Sequence, residues 1–210
     1  MSDASPARIV PALWWVARGI LAPLFRVAFR LRVAGVENIP TVGPTLFVAN
    51  HISMWDPPMI GYALVSRRRV YFMAKSELFR APVVGWAIRR LGAFPVERGG
   101  ADRSAIRTAR EVLDRGDALL MFPEGTRNTD GQIRPAWPGA GALGLADHVR
   151  VVPVAIAGSN RRLGPVRVSV GAPVDLSELP AGPRGERSQM AADQMMAAIG
   201  ALRSTSDERG

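Results

Sequence analysis

The sequence predicts an α/β fold, with a largely parallel or mixed central sheet flanked by helices and amphipathic helices at the N-terminal end. Three observations carry this. Short, nearly continuous apolar runs recur along the chain, as in TLFVA (45–49), ALLMF (118–122) and VVPVAIAG (151–158). Strands buried on both faces read this way, whereas strands with one wet face alternate. Helical stretches separate the runs, as crossovers between parallel strands require. Polar residues cluster directly after the runs, where the loops of such a sheet collect functional groups.

The first element is IVPALWWVARGILAPLFRVAFRLRV, residues 9–33. Its charge-free runs are nine residues, Ile9 to Ala17, and seven, Gly19 to Phe25. A membrane span needs roughly 18 or more. Arg18 at the bilayer centre would cost about 2.5–3.5 kcal/mol, and Pro11 and Pro23 weigh further against a span. At 100° per residue, Arg18, Arg26 and Arg30 share an arc of about 120°. Ile9, Leu13, Val16, Ile20, Leu24, Val27 and Leu31 lie opposite. This amphipathic pattern fits a helix in the membrane interface or one packed on the protein's own core. Trp14 and Trp15, residues favoured at the headgroup boundary, point to the interface. Pro23 is expected to kink or split the helix. Basic residues within and after the apolar runs argue against a cleaved signal peptide.

The remaining elements follow in order. RLRVAGV (30–36) reads as a short strand, NIPTVGP as a turn and TLFVA as a buried strand. DPPMIGYALVS starts a helix with Asp56 as cap and Pro57 at its first position. RVYFMA (69–74) is a strand. ELFRAPVVGWAIRRLG (77–92) is a helix with an internal Pro82, ending at Gly92, and AFPVER is a short strand. ADRSAIRTAREVLDRG is a helix capped by Asp102 and ended by Gly116. ALLMF is a strand, and a loop then runs to Pro138 before a helix of small residues. VVPVAIAG and VRVSVGAP (166–173) are late strands. Residues 186–203 form a last helix, and STSDERG is a frayed tail. The expected organisation is 1–30 for the amphipathic helices, 31–203 for one globular domain and 204–210 for a disordered tail.

The 210 residues are 48% hydrophobic, enough for one cored domain. The net charge of +9 favours a polyanionic partner: nucleic acid, an anionic membrane, or a phosphorylated or acidic-carrier substrate. Of 27 basic residues 26 are Arg, which reads first as genome base composition and makes the single Lys75 stand out. The absence of cysteine excludes disulfides, thiol nucleophiles and Cys-ligated metal. Two histidines far apart argue against a His-rich metal site.

Four strand ends carry chemistry. His51 follows LFVA, with Asn50 before it and Asp56 five residues on, close enough to orient the imidazole and stabilise its protonated form. MFPEGTRN (121–128) places Glu124, Thr126 and Arg127 around Gly125. The glycine permits close backbone approach to a ligand, and the guanidinium fork suits phosphate. Arg98 follows GAFPVE, and Lys75 follows VYFMA. In a parallel sheet these ends converge, setting a base among cations for an anionic substrate that bears a hydroxyl. GAGALG (139–144) matches a dinucleotide fingerprint but lacks the preceding strand. No hydrolase elbow is present, Ser53 has no evident oxyanion hole, and His148 reads as structural.

Together these residues resemble the glycerolipid acyltransferases of the PlsC type, 1-acylglycerol-3-phosphate acyltransferases. NHISMWD resembles the family's Asn-His-x4-Asp block, MAKSELF with GAFPVER its second, FPEGTRN its third and VVPVAIAG its fourth. The four lie in order over residues 31–171. The resemblance implies a glycerol-3-phosphate acyltransferase-like fold and a fatty acyl transfer from acyl-CoA or acyl carrier protein to the sn-2 hydroxyl of 1-acylglycerol-3-phosphate, giving phosphatidic acid. It implies His51 as general base and Asp56 as its orienting partner. It implies Arg98, Glu124, Gly125, Thr126 and Arg127 as holders of the acceptor phosphate. Lys75, Asn50 and Pro153 are further candidate substrate contacts, Pro153 on the acyl side. Neither metal nor cofactor is implied, and the protein is expected at the cytoplasmic face of the membrane, peripheral or monotopic, with residues 9–33 on an anionic surface. One departure stands out: RPAWPGA carries Trp137 and Pro138 where the family commonly has Lys or Arg shortly before the Gly. Another lysophospholipid or a lyso-aminolipid is the alternative acceptor. A non-catalytic membrane- or nucleic-acid-binding module is the distant rival, and no nucleic-acid motif supports it.

Overall fold

The computed structural model describes residue 6 and residues 8–97, 102–130, 132 and 134–208. Strands β1 (Arg32–Ala34), β2 (Thr45–Ala49), β3 (Tyr71–Lys75), β4 (Ala93–Val96), β5 (Ala118–Met121), β6 (Arg150–Ala157) and β7 (Arg167–Val170) form one seven-stranded sheet. Their order is β1-β7-β6-β2-β5-β3-β4. Strands β6, β2, β5, β3 and β4 run parallel to one another. β7 is antiparallel to β6, and β1 is parallel to β7. The sheet is therefore mixed, with its parallel part carrying the predicted strand ends. In register, Val48 is level with both Met121 and Pro153, so the loops after β2, β5 and β6 leave the sheet side by side.

Every residue of β2 is buried. Phe47 and Ala49 face one layer, where Met59, Ile60 and Leu64 of α2 (Asp56–Leu64) pack with Phe25 and Phe29. Leu46 and Val48 face the other layer. It holds Val112 and Leu113 of α4 (Arg103–Asp114), Leu143 of α5 (Pro138–Gly144), and Met195 and Ile199 of α6 (Arg184–Glu208). The period-two alternation of strand side chains thus explains the continuous apolar runs: both faces need hydrophobes. α5 crosses α6 closely at Gly141, where an added Cβ would fall 1.8 Å from the Ser188 carbonyl oxygen.

Three expectations are corrected. Residues 77–92 are not one helix: a 3-10 turn, Ser76–Arg80, precedes α3, Pro82–Arg90. Pro82 opens α3 because it needs no N–H partner at a first turn, and it holds Ala81 extended at φ −78°, ψ 114°. The tail does not fray at residue 204, because α6 runs on to Glu208. Leu202 anchors that last part on the core, and Ser204 and Thr205 hydrogen-bond back to Gly200 and Ala201.

The third correction concerns the N-terminal helix. α1 (Pro11–Pro23) passes at Pro23 into a π-helical turn, Leu24–Ala28, so Pro23 splits the segment as expected. The wider turn shifts the phase, and the single arginine stripe breaks up. Arg18 turns inward, with Nη1 donating to the Tyr62 carbonyl at 2.7 Å and its guanidinium 4.3 Å over the Tyr62 ring. Arg26 and Arg30 stay exposed. Trp14, Phe25 and Phe29 are buried, while Trp15, Val16, Ile20 and Val27 face outward. Among the described residues no helix is long and apolar enough to cross a membrane.

Candidate active site

Just beyond β2, the Asn50 amide extends the ladder sideways. Its Nδ2 donates to the Ile156 carbonyl at 2.9 Å, and its Oδ1 accepts the Ile156 N–H at 2.8 Å. Both ends of this buried side chain are occupied, so Asn50 splices β2 to β6.

His51 is buried, and its ring stacks on Phe122 with centroids 4.2 Å apart. Its Nδ1 lies 2.9 Å from Asp56 Oδ2. The same oxygen accepts the N–H groups of Ile52 at 2.7 Å and Ser53 at 2.8 Å. Oδ1 accepts the Ser159 hydroxyl from the loop after β6. Surrounded by donors, the carboxylate assigns the proton to Nδ1, which leaves Nε2 as an acceptor. Asp56 does not cap α2 as predicted. A capping carboxylate accepts from the N–H two or three residues on; Pro58 has none, and the Met59 N–H already donates to Trp55 at 3.0 Å. The side chain therefore turns back to the loop and the imidazole.

The loop after β5 clamps the His51 backbone. Glu124 Oε1 accepts the His51 N–H at 3.0 Å, and the Asn128 N–H donates to the His51 carbonyl at 2.7 Å. Glu124 Oε2 accepts the Arg134 N–H at 3.3 Å and the Asn128 side-chain amide. Burial raises the Glu124 carboxyl above the ordinary glutamate value, against the pull of these N–H donors. Glu124 thus holds the His51 backbone in place, with both of its oxygens occupied by N–H donors. Gly125 sits at φ +66° against the Trp137 indole, 3.1 Å from where a Cβ would lie.

The dyad opens on a cavity of about 380 Å³. His51, Phe122, Arg127, Lys75 and Arg18 line it beside an apolar wall that includes Trp14, Leu21, Tyr62, Phe72 and Leu91. The exposed Lys75 pairs with Glu77 at 2.8 Å, and this hydrogen bond, chief among several causes, lowers the exposed Glu77 carboxyl to about 2. The fold thus brings His51, Asp56, Lys75 and Arg127 together.

Other predicted residues lie elsewhere. Thr126 is exposed, and neither it nor Gly125 lines the cavity. Pro153 points its ring toward Gly171 and Leu202, on the α6 side of the sheet, because strand alternation gives the α2 side to Val152 and Val154. Arg98 lies outside the described residues. Ser53 is a turn residue whose hydroxyl accepts the Trp55 N–H at 3.2 Å. GAGALG packs as α5 against α6, and His148 Nε2 meets Asp114 at 3.2 Å on the surface. Among the described residues no three His, Asp or Glu side chains are grouped to hold a metal ion.

Sequence reasoning missed Ser159, Asn128, Phe122 and the inward Arg18. GSN directly after the strand VVPVAIA was a legible signal for Ser159, of the same kind that located His51.

The Acyltransferase family model matches residues 30–157. A chloroplast 1-acyl-sn-glycerol-3-phosphate acyltransferase of Brassica napus is 30% identical over 160 residues, 70% of this chain and 45% of that protein. A lyso-ornithine lipid O-acyltransferase of Pseudomonas aeruginosa is 36% identical over 157 residues, 74% of this chain and 57% of that protein. The chain spans about half the length of the curated relatives it matches. The crystal structure of the 1-acyl-sn-glycerophosphate acyltransferase PlsC from Thermotoga maritima superposes with a TM-score of 0.70 at 28% identity, covering 91% of this chain and 78% of that one.

Proposed function

The chain belongs to the acyltransferase family, and on that premise we propose that it transfers a fatty acyl group from an acyl thioester to the sn-2 hydroxyl of 1-acylglycerol-3-phosphate, giving phosphatidic acid. One observation carries this reading: the His51–Asp56 pair, 2.9 Å apart, opens on a cavity with an apolar wall and the cations of Arg127 and Lys75. Nε2 of His51 takes the hydroxyl proton as the oxygen attacks the thioester carbonyl. The tetrahedral intermediate collapses, the C–S bond breaks, and the proton on His51 passes to the departing thiolate. Asp56 holds the ring and balances its transient charge. A positioned base contributes roughly 10²–10⁴-fold, and holding alcohol and thioester together supplies much of the rest. The thioester is already activated, so the chemistry calls for no cofactor beyond acyl-CoA or acyl carrier protein as co-substrate.

Arg127 and Lys75 receive the acceptor phosphate, and the apolar wall receives an acyl chain. The outward Trp15, Val16 and Ile20 of α1 set the protein on the cytoplasmic leaflet as a peripheral or monotopic protein. The test is an acceptor panel with acyl-CoA and acyl carrier protein donors: lysophosphatidate is turned over fastest, and His51→Ala removes the activity. Turnover by His51→Ala equal to the wild type refutes the mechanism.

A second reading has a lyso-ornithine lipid as acceptor. Its support is the 36% identity to the Pseudomonas enzyme and the Trp137 indole packed on Gly125. Preference for that lipid in the same panel, with Arg127→Ala leaving KM unchanged, selects it.

A further inference from the structure

We propose that the loop Arg161–Arg162–Leu163 joins the end of the N-terminal helix in a second membrane contact, selective for anionic phospholipid headgroups. This deepens the membrane reading of α1 and rests on it.

Two segments far apart in sequence build the patch. Residues 21–36 and 158–174 contain no acidic residue and together carry six arginines, Arg26, Arg30, Arg32, Arg161, Arg162 and Arg167. The fold ties them edge to edge. The Gly164 N–H donates to the Ala28 carbonyl at 3.4 Å, the Val166 N–H to Phe29 at 2.9 Å and the Arg32 N–H to Val166 at 2.9 Å. Arg32 then pairs with Arg167 in the β1–β7 register. Like charges brought together this way repel, and among the described residues none of the six makes an ion pair. Stability alone gives no reason for the arrangement; an anionic partner does.

The apolar residues in the patch choose between anionic partners. Val27 is 77% exposed and Leu163 63% exposed, set among Arg26, Arg30, Arg161 and Arg162. Exposed aliphatics ringed by arginines match the boundary between headgroups and acyl chains. The patch also continues the outward apolar residues of α1, Trp15, Val16 and Ile20, along the same chain segment. An acidic carrier protein would use the charge but not that continuity.

Arg30 allows the charge to be removed without weakening the fold. It holds φ +41°, a left-handed conformation that favours glycine. Arg30→Gly therefore relieves strain while deleting one cation.

The experiment is co-sedimentation of the full chain with phosphatidylcholine vesicles, with and without phosphatidylglycerol. Arg161→Glu/Arg162→Glu is expected to weaken binding to the anionic vesicles by about tenfold or more, each basic residue near a charged surface being worth about 1 kcal/mol. Arg30→Gly weakens it by less and does not lower the thermal midpoint. Neither changes binding to phosphatidylcholine alone, nor turnover of a water-soluble short-chain acceptor with acyl-CoA. Ile20→Glu weakens binding to both vesicle types; if it changes neither, the membrane reading itself fails. If Ile20→Glu acts but the arginine variants bind anionic vesicles as the wild type does, only the present inference falls. It is likewise overturned if the double variant raises KM for acyl carrier protein and leaves vesicle binding intact.

Discussion

Glu124 accepts the backbone N–H of His51 at 3.0 Å across two neighbouring parallel strands. With Asn128 on the His51 carbonyl, the loop after β5 dictates where the imidazole of the loop after β2 stands. The carboxylate serves as a buried anchor for donors that converge from three places: His51, Asn128 and Arg134.

Glu124→Gln is expected to lower kcat by about tenfold or more and to destabilise the fold. Two donors meet at Oε2 and one at Oε1, so an amide must aim its own N–H at a donor. One unsatisfied buried group costs about 1–3 kcal/mol. The pH dependence has a definite sign. Burial raises the Glu124 carboxyl, so the folded protein holds this proton more tightly than the unfolded chain. That stabilisation is fully present below the unfolded pKa and is lost as pH rises through the folded one. Measured against Glu124→Gln, the wild-type thermal midpoint falls with rising pH across that window and is flat above it.

Asp56→Asn should reduce kcat by roughly 10²–10⁴, since the ring loses its orienting anion. Ser159 acts only through that carboxylate, as a positioning residue. Ser159→Ala is expected to lower kcat by about tenfold with KM within twofold, from the loss of a hydrogen bond to a charged group. Ser159→Thr, which keeps the hydroxyl, restores it. An equal loss in both variants would make the effect one of packing.

Asp102 caps α4 by accepting the N–H groups of Ser104 and Ala105, and it also accepts that of Glu97. Burial works to raise its carboxyl, but these donors and the Ser104 hydroxyl outweigh it and hold the group below its ordinary value. Its stabilisation is present above the unfolded pKa and lost as pH falls through the folded one. Asp102→Ala should cost about 1 kcal/mol near neutrality, and the difference from wild type in denaturant titrations should close in acid.

Gly141→Ala should destabilise by about 1–3 kcal/mol or more, because the new methyl meets the Ser188 backbone at 1.8 Å and neither helix can yield without repacking. Gly185→Ala, in the same α6 with open space around it, serves as a control and should be neutral or slightly stabilising. Thermal midpoints of the two variants decide the matter.

Much of the fold was legible in the sequence because its signals are local. After its leading Thr45, TLFVA is apolar throughout, so it reads as a strand buried on both faces, and its bounds match β2 residue for residue. Once the strands are parallel, His51, Lys75 and Arg127 have to meet at one edge, since Lys75 ends β3 and the other two lie in the loops that leave β2 and β5. Tertiary partners decided the rest. Asp56 faces the imidazole because two prolines leave α2 nothing for it to cap. Glu124 faces His51 because the neighbouring strand presents an N–H there, and Asn50 is used up by Ile156 from a third strand. Arg18 turns inward because Tyr62 offers both a carbonyl and a ring. Residue order states which groups leave the sheet together; where Glu124, Asn50 and Arg18 point depends on hydrogen-bond partners that lie tens of residues away along the chain and come within reach only after folding.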